Sequence, residues 1–308
     1  MRHPSRPPQP ARPGQGGSAH PGHGSAHPGR GSAPVLLVVA HGSRDPRHAA
    51  TVHALVRRVW SLRPGLRVET GFLDFNAPSV AGVLEGLAAD GVRDVVALPL
   101  LLTRAFHAKS DIPAVLHEAT VRLPQLRIRQ ADVLGPSPLL LDALEQRLYD
   151  AGLSPDDKRS TGVVLASAGS SDPEAIAVIA EIAREWRRTG WCAVRPAFAS
   201  ASLPRTEDAV RELRAEGVRR VAVAPYVIAP GFLPDRIARG AREAGADVLA
   251  DVLGPAPELA RLLLRRYDAT AYGATTAYDS ATYGSATHNP TTYDSTVSPS
   301  PVAVAMSA

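Results

Sequence analysis

His41 and His107 are far apart in sequence, yet each stands in a loop that follows a β-branched, apolar run. The first is His41-Gly42-Ser43 after Val35–Ala40, and the second is Thr103-Arg104-Ala105-Phe106-His107-Ala108-Lys109 after Asp94–Leu100. Neutral imidazoles can hold a borderline divalent ion such as Fe²⁺, Co²⁺ or Ni²⁺ in an open coordination sphere, and they can accept protons near neutral pH. With an ordinary pKa of about 6.5, one imidazole suits either task but not both at once. Two on one rim would divide the work.

Whether they share a rim depends on the elements that carry them. Strands are expected near Val35–Ala40, Arg67–Leu73, Asp94–Leu100 and Leu126–Ala131, with helices near Pro46–Trp60, Pro78–Asp90, Ile112–Leu123 and Ser137–Tyr149. Such alternation predicts right-handed βαβ units on a parallel sheet. The pattern then repeats, with strands near Gly162–Ser167, Ala193–Phe198, Arg219–Tyr226 and Asp247–Ala250 and helices near Pro173–Arg188, Arg205–Glu216, Leu233–Ala244 and Pro257–Tyr267. In a doubly wound sheet a ligand sits past the carboxyl ends of the strands where their order reverses, typically between the first and third. Both histidine loops lie at that place.

The repeat is legible letter by letter. Val-Ala-His-Gly-Ser-Arg-Asp-Pro at Val39–Pro46 faces Ala-Ser-Ala-Gly-Ser-Ser-Asp-Pro at Ala166–Pro173, Gly91–Arg93 recurs at Gly217–Arg219, and Asp132–Pro136 recurs at Asp251–Pro255. The chain is therefore expected to be an internal duplication of two α/β domains, 35–153 and 160–268, each a doubly wound parallel sheet of four strands, packed around a cleft. The second copy acts as a control. It keeps Gly169, Ser170, Asp172 and Pro173 but has Ala168 opposite His41 and Leu233 opposite His107. Histidines needed only for folding would be needed twice, so the asymmetry assigns chemistry to the first half. Asp45-Pro46 and Asp172-Pro173 read as a helix N-cap followed by a first-turn proline. His48, His53 and His117 fall within helices and receive no role.

Composition removes other classes. The 308 residues carry Lys+Arg 34 against Asp+Glu 30. Residues 1–34, rich in Pro, Gly and His with a repeated Gly-Ser-Ala-His-Pro-Gly, and residues 269–308, rich in Ser, Thr and Tyr, are expected to be disordered tails. Only a small positive balance is left between them, which is no footprint for nucleic acid. One cysteine, Cys192, excludes a disulfide framework and a Cys-based zinc or iron–sulfur site. No apolar run approaches the roughly 20 residues of a membrane span, and no apolar core of a secretory signal opens the chain, so a cytoplasmic protein is expected. Val39–Ser43 is not a Gly-x-Ser-x-Gly nucleophile elbow. Neither a Gly-x-Gly-x-x-Gly nor a P-loop motif follows a strand, so dinucleotide and triphosphate sites are unsupported. Metal insertion into a tetrapyrrole is one reaction that needs both capacities of an imidazole, since an ion must be delivered and two pyrrole protons must depart.

At this point the residues resemble the class II tetrapyrrole chelatases, which insert Fe²⁺ into sirohydrochlorin for sirohaem or Co²⁺ for cobalamin. The carriers are His-Gly-Ser-Arg closing Val35–Arg44, the segment Phe72–Ser79, and Pro-Leu-Leu-Leu ahead of His-x-x-x-Asp-Ile-Pro at His107–Pro113. The resemblance covers about 35–268. It implies that His41 and His107 bind the metal and serve as catalytic base, with the divalent metal a substrate and no tightly bound cofactor. It also implies that a degenerate second half closes the cleft, with Tyr226, Phe232 and Arg236 offered as ring contacts. For an acidic macrocycle, Ser43, Arg44, Arg104, Phe106 and Lys109 are the candidate contacts, the cations through charge-assisted hydrogen bonds. Two alternatives stand beside the iron enzyme: a cobaltochelatase, and a non-catalytic metal or tetrapyrrole carrier. The oligomeric state is open, since two halves of one chain would suffice to form the cleft.

Overall fold

The computed structural model describes residues 33–104 and 107–273. Most of both expected tails therefore lies outside the described residues. In the first half, β1 (Val35–Ala40), α1 (Pro46–Leu62), β2 (Val68–Phe72), α2 (Val80–Ala89), β3 (Asp94–Pro99), α3 (Ile112–Arg122), β4 (Arg127–Gln130) and α4 (Pro138–Asp150) alternate as expected. The second half repeats them as β5 (Thr161–Ser167), α5 (Pro173–Arg188), β6 (Ala193–Phe198), α6 (Thr206–Ala215), β7 (Arg220–Tyr226), α7 (Phe232–Glu243), β8 (Val248–Leu249) and α8 (Pro257–Tyr272).

The strands form two parallel four-stranded sheets, ordered β2-β1-β3-β4 and β6-β5-β7-β8. Val38 of β1 lies in register with Thr70 on one side and Leu98 on the other. Strand order thus reverses beside β1 and beside β5, and the carboxyl ends there open into crevices. Every residue of β1 is buried, as a central strand covered on both faces requires. Leu36, Val38 and Ala40 join one core, whereas Val35, Leu37 and Val39 join another beneath α2 and α3. On α1, the spacing of Val52, Leu55, Val56 and Val59 gives one buried stripe. That helix starts where Asp45 caps it, its carboxylate accepting from the Arg47 amide at 2.9 Å, with Pro46 in the first turn. Asp172 repeats the cap on α5, accepting from the Glu174 amide at 3.0 Å.

Three features depart from the sequence reading. A π-helical turn at His107–Asp111 leads directly into α3, and a 3₁₀ turn at Pro155–Arg159 occupies the linker between the halves. The last helix also runs on through Ala269–Tyr272, which the sequence assigned to the tail. Tyr272 packs edge-on to Tyr267 at 6.0 Å, and the Thr270 and Ala271 carbonyls accept from the Arg129 guanidinium at 2.7 and 3.1 Å. Those contacts hold a turn of helix that composition alone assigns to coil.

The halves also exchange their final helices. α4 lies against β7 of the second sheet, while α8 lies against β3 of the first and packs on α1 and α4. One continuous core results, running from Leu36 and Val38 through Leu144 and Leu148 to Val163, Leu165, Leu259 and Tyr267.

Candidate active site

Three segments of the first half build the rim at the end of β1. His41 leaves the strand and Gly42 turns the chain at φ +93°; a side-chain carbon there would sit 1.9 Å from the Asp74 carbonyl oxygen. Glycine is thus required by both conformation and space. The loop after β2 then folds back onto this turn. The Asp74 amide donates to the His41 carbonyl at 2.9 Å, and the Ser43 amide donates to Asn76 Oδ1 at 2.8 Å. Ser43 Oγ in turn accepts from the Asp45 amide at 3.1 Å. The backbone around His41 is tied at each residue, so the imidazole is presented from a rigid base.

His41 faces a cavity of about 450 Å³ walled by both halves. The first half contributes Ala40, His41, His48, Leu100–Thr103 and Ala108, and the second contributes Ser167–Ser170, Ile176, Phe198 and Tyr226. Its walls are mainly apolar, with imidazoles on one side and hydroxyls on the other, and its volume falls in the range of small-molecule sites. The buried Tyr226 reaches across to the first half, where its hydroxyl lies over Gly135. The second half, lacking imidazoles of its own, supplies the opposing wall.

The sequence-derived residues distribute unevenly around this cavity. His107 opens the π-helical turn that follows β3, one residue before Ala108 of the cavity wall. Phe106 lies outside the described residues. The exposed Arg44 lays its guanidinium 5.1 Å from the Phe75 ring centre. Arg104 is paired with Asp132 of its own half, and Thr103, not Arg104, faces the cavity. Lys109 crosses to the second half, bonding Asp172 Oδ2 at 2.8 Å and Glu174 Oε2 at 2.7 Å. These two carboxylates raise the ammonium's pKa, while Lys109 holds Asp172 below the usual carboxylate range. On α7, Phe232 and Arg236 are exposed, and the wall there is made by Leu233 and Pro234.

One site residue and one site contact escaped sequence reasoning. His48 lies in α1, yet it lines the cavity beside His41, its Nδ1 buried with no hydrogen-bond partner. Burial, then the neighbouring His41, pushes its pKa down, against an opposing pull from Asp45. Its place one turn into α1 could have been found only by knowing that the helix N-terminus borders the cleft. The other is the contact of the Asp74–Asn76 loop with His41: the loop lies within the Phe72–Ser79 motif, but its contact is set by backbone geometry. Arg47 also bridges the halves, joining Asp45 and, across the cleft, Asp235 Oδ2, each at 2.6 Å. Among the described residues no group of three or more His, Cys, Asp or Glu side chains gathers into a closed metal cage.

Two duplicated, doubly wound sheets with imidazoles at the switch point of one define a class of two-lobed α/β proteins with a cleft between the lobes. The chain belongs to the CbiX family, whose model matches it twice, over residues 35–151 and 162–270. A sirohydrochlorin cobaltochelatase of Priestia megaterium is 30% identical over 205 residues, covering 66% of each chain. A sirohydrochlorin ferrochelatase of the same organism is 27% identical over 233 residues, covering 74% of this chain and 87% of its own. Among solved structures, SirB from Bacillus subtilis with Fe³⁺ superposes with a TM-score of 0.70 at 26% identity, covering 80% of this chain and 99% of SirB.

Proposed function

We infer that the chain is a sirohydrochlorin chelatase, inserting Fe²⁺ into the macrocycle to give sirohaem. The observation that carries this reading is His41, held on a tied turn at the end of the central strand and facing an apolar cleft walled by both halves. In the proposed mechanism the flat ring enters between the lobes, its apolar body against the leucines of the β3 end and Ile176 and Phe198 opposite. His41 and His107 receive the ion, and as it passes to the ring each imidazole so freed takes up one of the two departing pyrrole protons. Release of two protons is then divided between two bases. Arg44, Arg104 and Lys109, with the Ser43 hydroxyl, bind the ring's carboxylates. Arg104 and Lys109 do so by exchanging Asp132, Asp172 and Glu174 for those of the substrate. Phe106 contributes an apolar ring contact.

Cobalt insertion on the cobalamin route is the second reading, favoured by the likeness to a cobaltochelatase, since two imidazoles do not separate Fe²⁺ from Co²⁺. We further propose that the enzyme works in the cytoplasm, without nucleic-acid or membrane partners. Among the described residues no helix is long and apolar enough to cross a membrane.

An anaerobic absorbance time course with sirohydrochlorin and limiting Fe²⁺ or Co²⁺ tests the reading. Replacing either His41 or His107 by Ala should slow insertion by about a hundredfold or more, the range of a lost general base, with the fold intact by circular dichroism. The metal inserted faster identifies the pathway. If wild type and both variants match the uncatalysed rate while ring or metal still binds, the chain is a carrier.

A further inference from the structure

We propose that Phe75 is the platform on which the tetrapyrrole stacks, a role that rests on the chelatase reading above. The residue sits at φ +61°, a left-handed conformation that bulky side chains rarely adopt. The duplicate shows where this geometry comes from. Ala201 occupies the equivalent place at φ +59°. The Ser200 amide donates there to the Ala168 carbonyl at 3.0 Å, as the Asp74 amide does to His41, and the Ser202 amide donates to the Ser200 carbonyl at 2.6 Å, as the Asn76 amide does to Asp74 at 2.7 Å. The left-handed turn is therefore architecture common to both halves, and alanine satisfies it. What the first half adds is an aromatic ring.

That ring does not serve the core, for Phe75 is 58% exposed. A single exposed apolar side chain is ordinary on a protein surface, so the assignment rests on what surrounds the ring. Its neighbours are those of the site instead. The His41 imidazole lies 6.3 Å away, centre to centre, tilted by 35°, and the Arg44 guanidinium lies 5.1 Å from the ring centre. An exposed aromatic face beside an imidazole and a cation matches a ligand that is flat, conjugated and rimmed with carboxylates. The conjugated body stacks on Phe75, and a peripheral carboxylate meets Arg44. Stacking there holds the ring's edge at the cleft mouth, so its nitrogens lie toward His41. The aromatic and the imidazole occur in the same half, and both are replaced by alanine in the other.

Titration of metal-free sirohydrochlorin into wild type, Phe75→Ala and Phe75→Trp, followed by ring absorbance and fluorescence, tests this directly. Phe75→Ala should weaken binding about tenfold, in the range found for lost aromatic stacking. KM should rise in proportion and kcat should stay within about twofold, because stacking acts alike on ground and transition states. Phe75→Trp should restore tight binding. An alanine variant that binds the ring as tightly as wild type, with or without a lower melting temperature, overturns the platform and leaves the chelatase reading standing. A wild type that does not bind sirohydrochlorin at all defeats that reading instead.

Discussion

His48 shows how a residue can join a site without announcing itself. It lies in the first turns of α1, where its sequence neighbours mark a capped, amphipathic helix, and nothing in its spacing separates it from His53, which packs edge-on against Phe72 at 5.8 Å. His41 was legible because the duplicate lacks it. Phe75 and Asn76 were visible as part of a motif, but their chemistry depends on a left-handed turn that residue types do not encode. The depressed pKa of His48 has a consequence for stability. The folded protein binds this proton less readily than the unfolded chain, so stability is complete above the ordinary value of 6.5 and declines as pH falls toward the lower folded value. Each proton so linked contributes a slope of at most about 1.4 kcal/mol per pH unit. Urea unfolding of wild type and His48→Gln between pH 8 and 5 should therefore give a steeper acid loss in the wild type. Parallel curves would show that His48 titrates as it does in the unfolded chain.

At the scale of elements, the linker and the helix before it do more than their polar sequence suggests. Glu145, on α4, gathers donors from the linker and the second half: Lys158 Nζ at 2.7 Å, Trp186 Nε1 at 3.1 Å, Thr189 Oγ1 at 3.2 Å and Trp191 Nε1 at 3.4 Å. Burial pushes this carboxyl up, but the Lys158 ammonium and the neutral donors outweigh burial and hold it below its ordinary value. The strand and helix order was readable because β-branched runs alternate with capped helical stripes. This hub was not, because its partners come from segments joined only by the fold. Glu145→Gln should cost about 2 kcal/mol, since the ammonium and indoles lose a shared anionic acceptor in a mostly buried place. The lowered pKa means that the carboxylate stabilises above about its ordinary 4.5 and that its contribution is lost as pH falls through the folded value. The gap between wild type and variant in thermal melts should thus be full at pH 7 and shrink below pH 4. A gap independent of pH would mean that the charge at Glu145 contributes nothing.

The whole molecule is a duplication whose halves share one core. Matching letters revealed the repeat, and the alternation of elements revealed two parallel sheets. The exchange of α4 and α8 was hidden, because an apolar stripe on a helix states that a face is buried without stating which sheet covers it. Each half lends its last helix to the other, and their shared core places Leu36 and Val38 in one cluster with Leu165, Leu259 and Tyr267. Tyr267 closes the arrangement by donating its hydroxyl to the Pro34 carbonyl at 2.6 Å, so the last helix pins the start of the first strand. A chain cut after Leu153 would keep β1–β4 but lose the α8 cover over β3, while its own α4 would have no β7 to lie on. Uncovered apolar faces of that size do not persist in water. The cheapest repair is a second copy in which each α4 covers the partner's sheet, since the two halves already share one fold. The truncated chain should therefore sediment as a homodimer, or aggregate, and should form a one-to-one complex when residues 154–273 are supplied in trans. With both pieces present the cleft is rebuilt and chelation should return. A truncated chain that sediments as a monomer and melts as cooperatively as the full chain would mean that the exchanged helices are not what holds the lobes together.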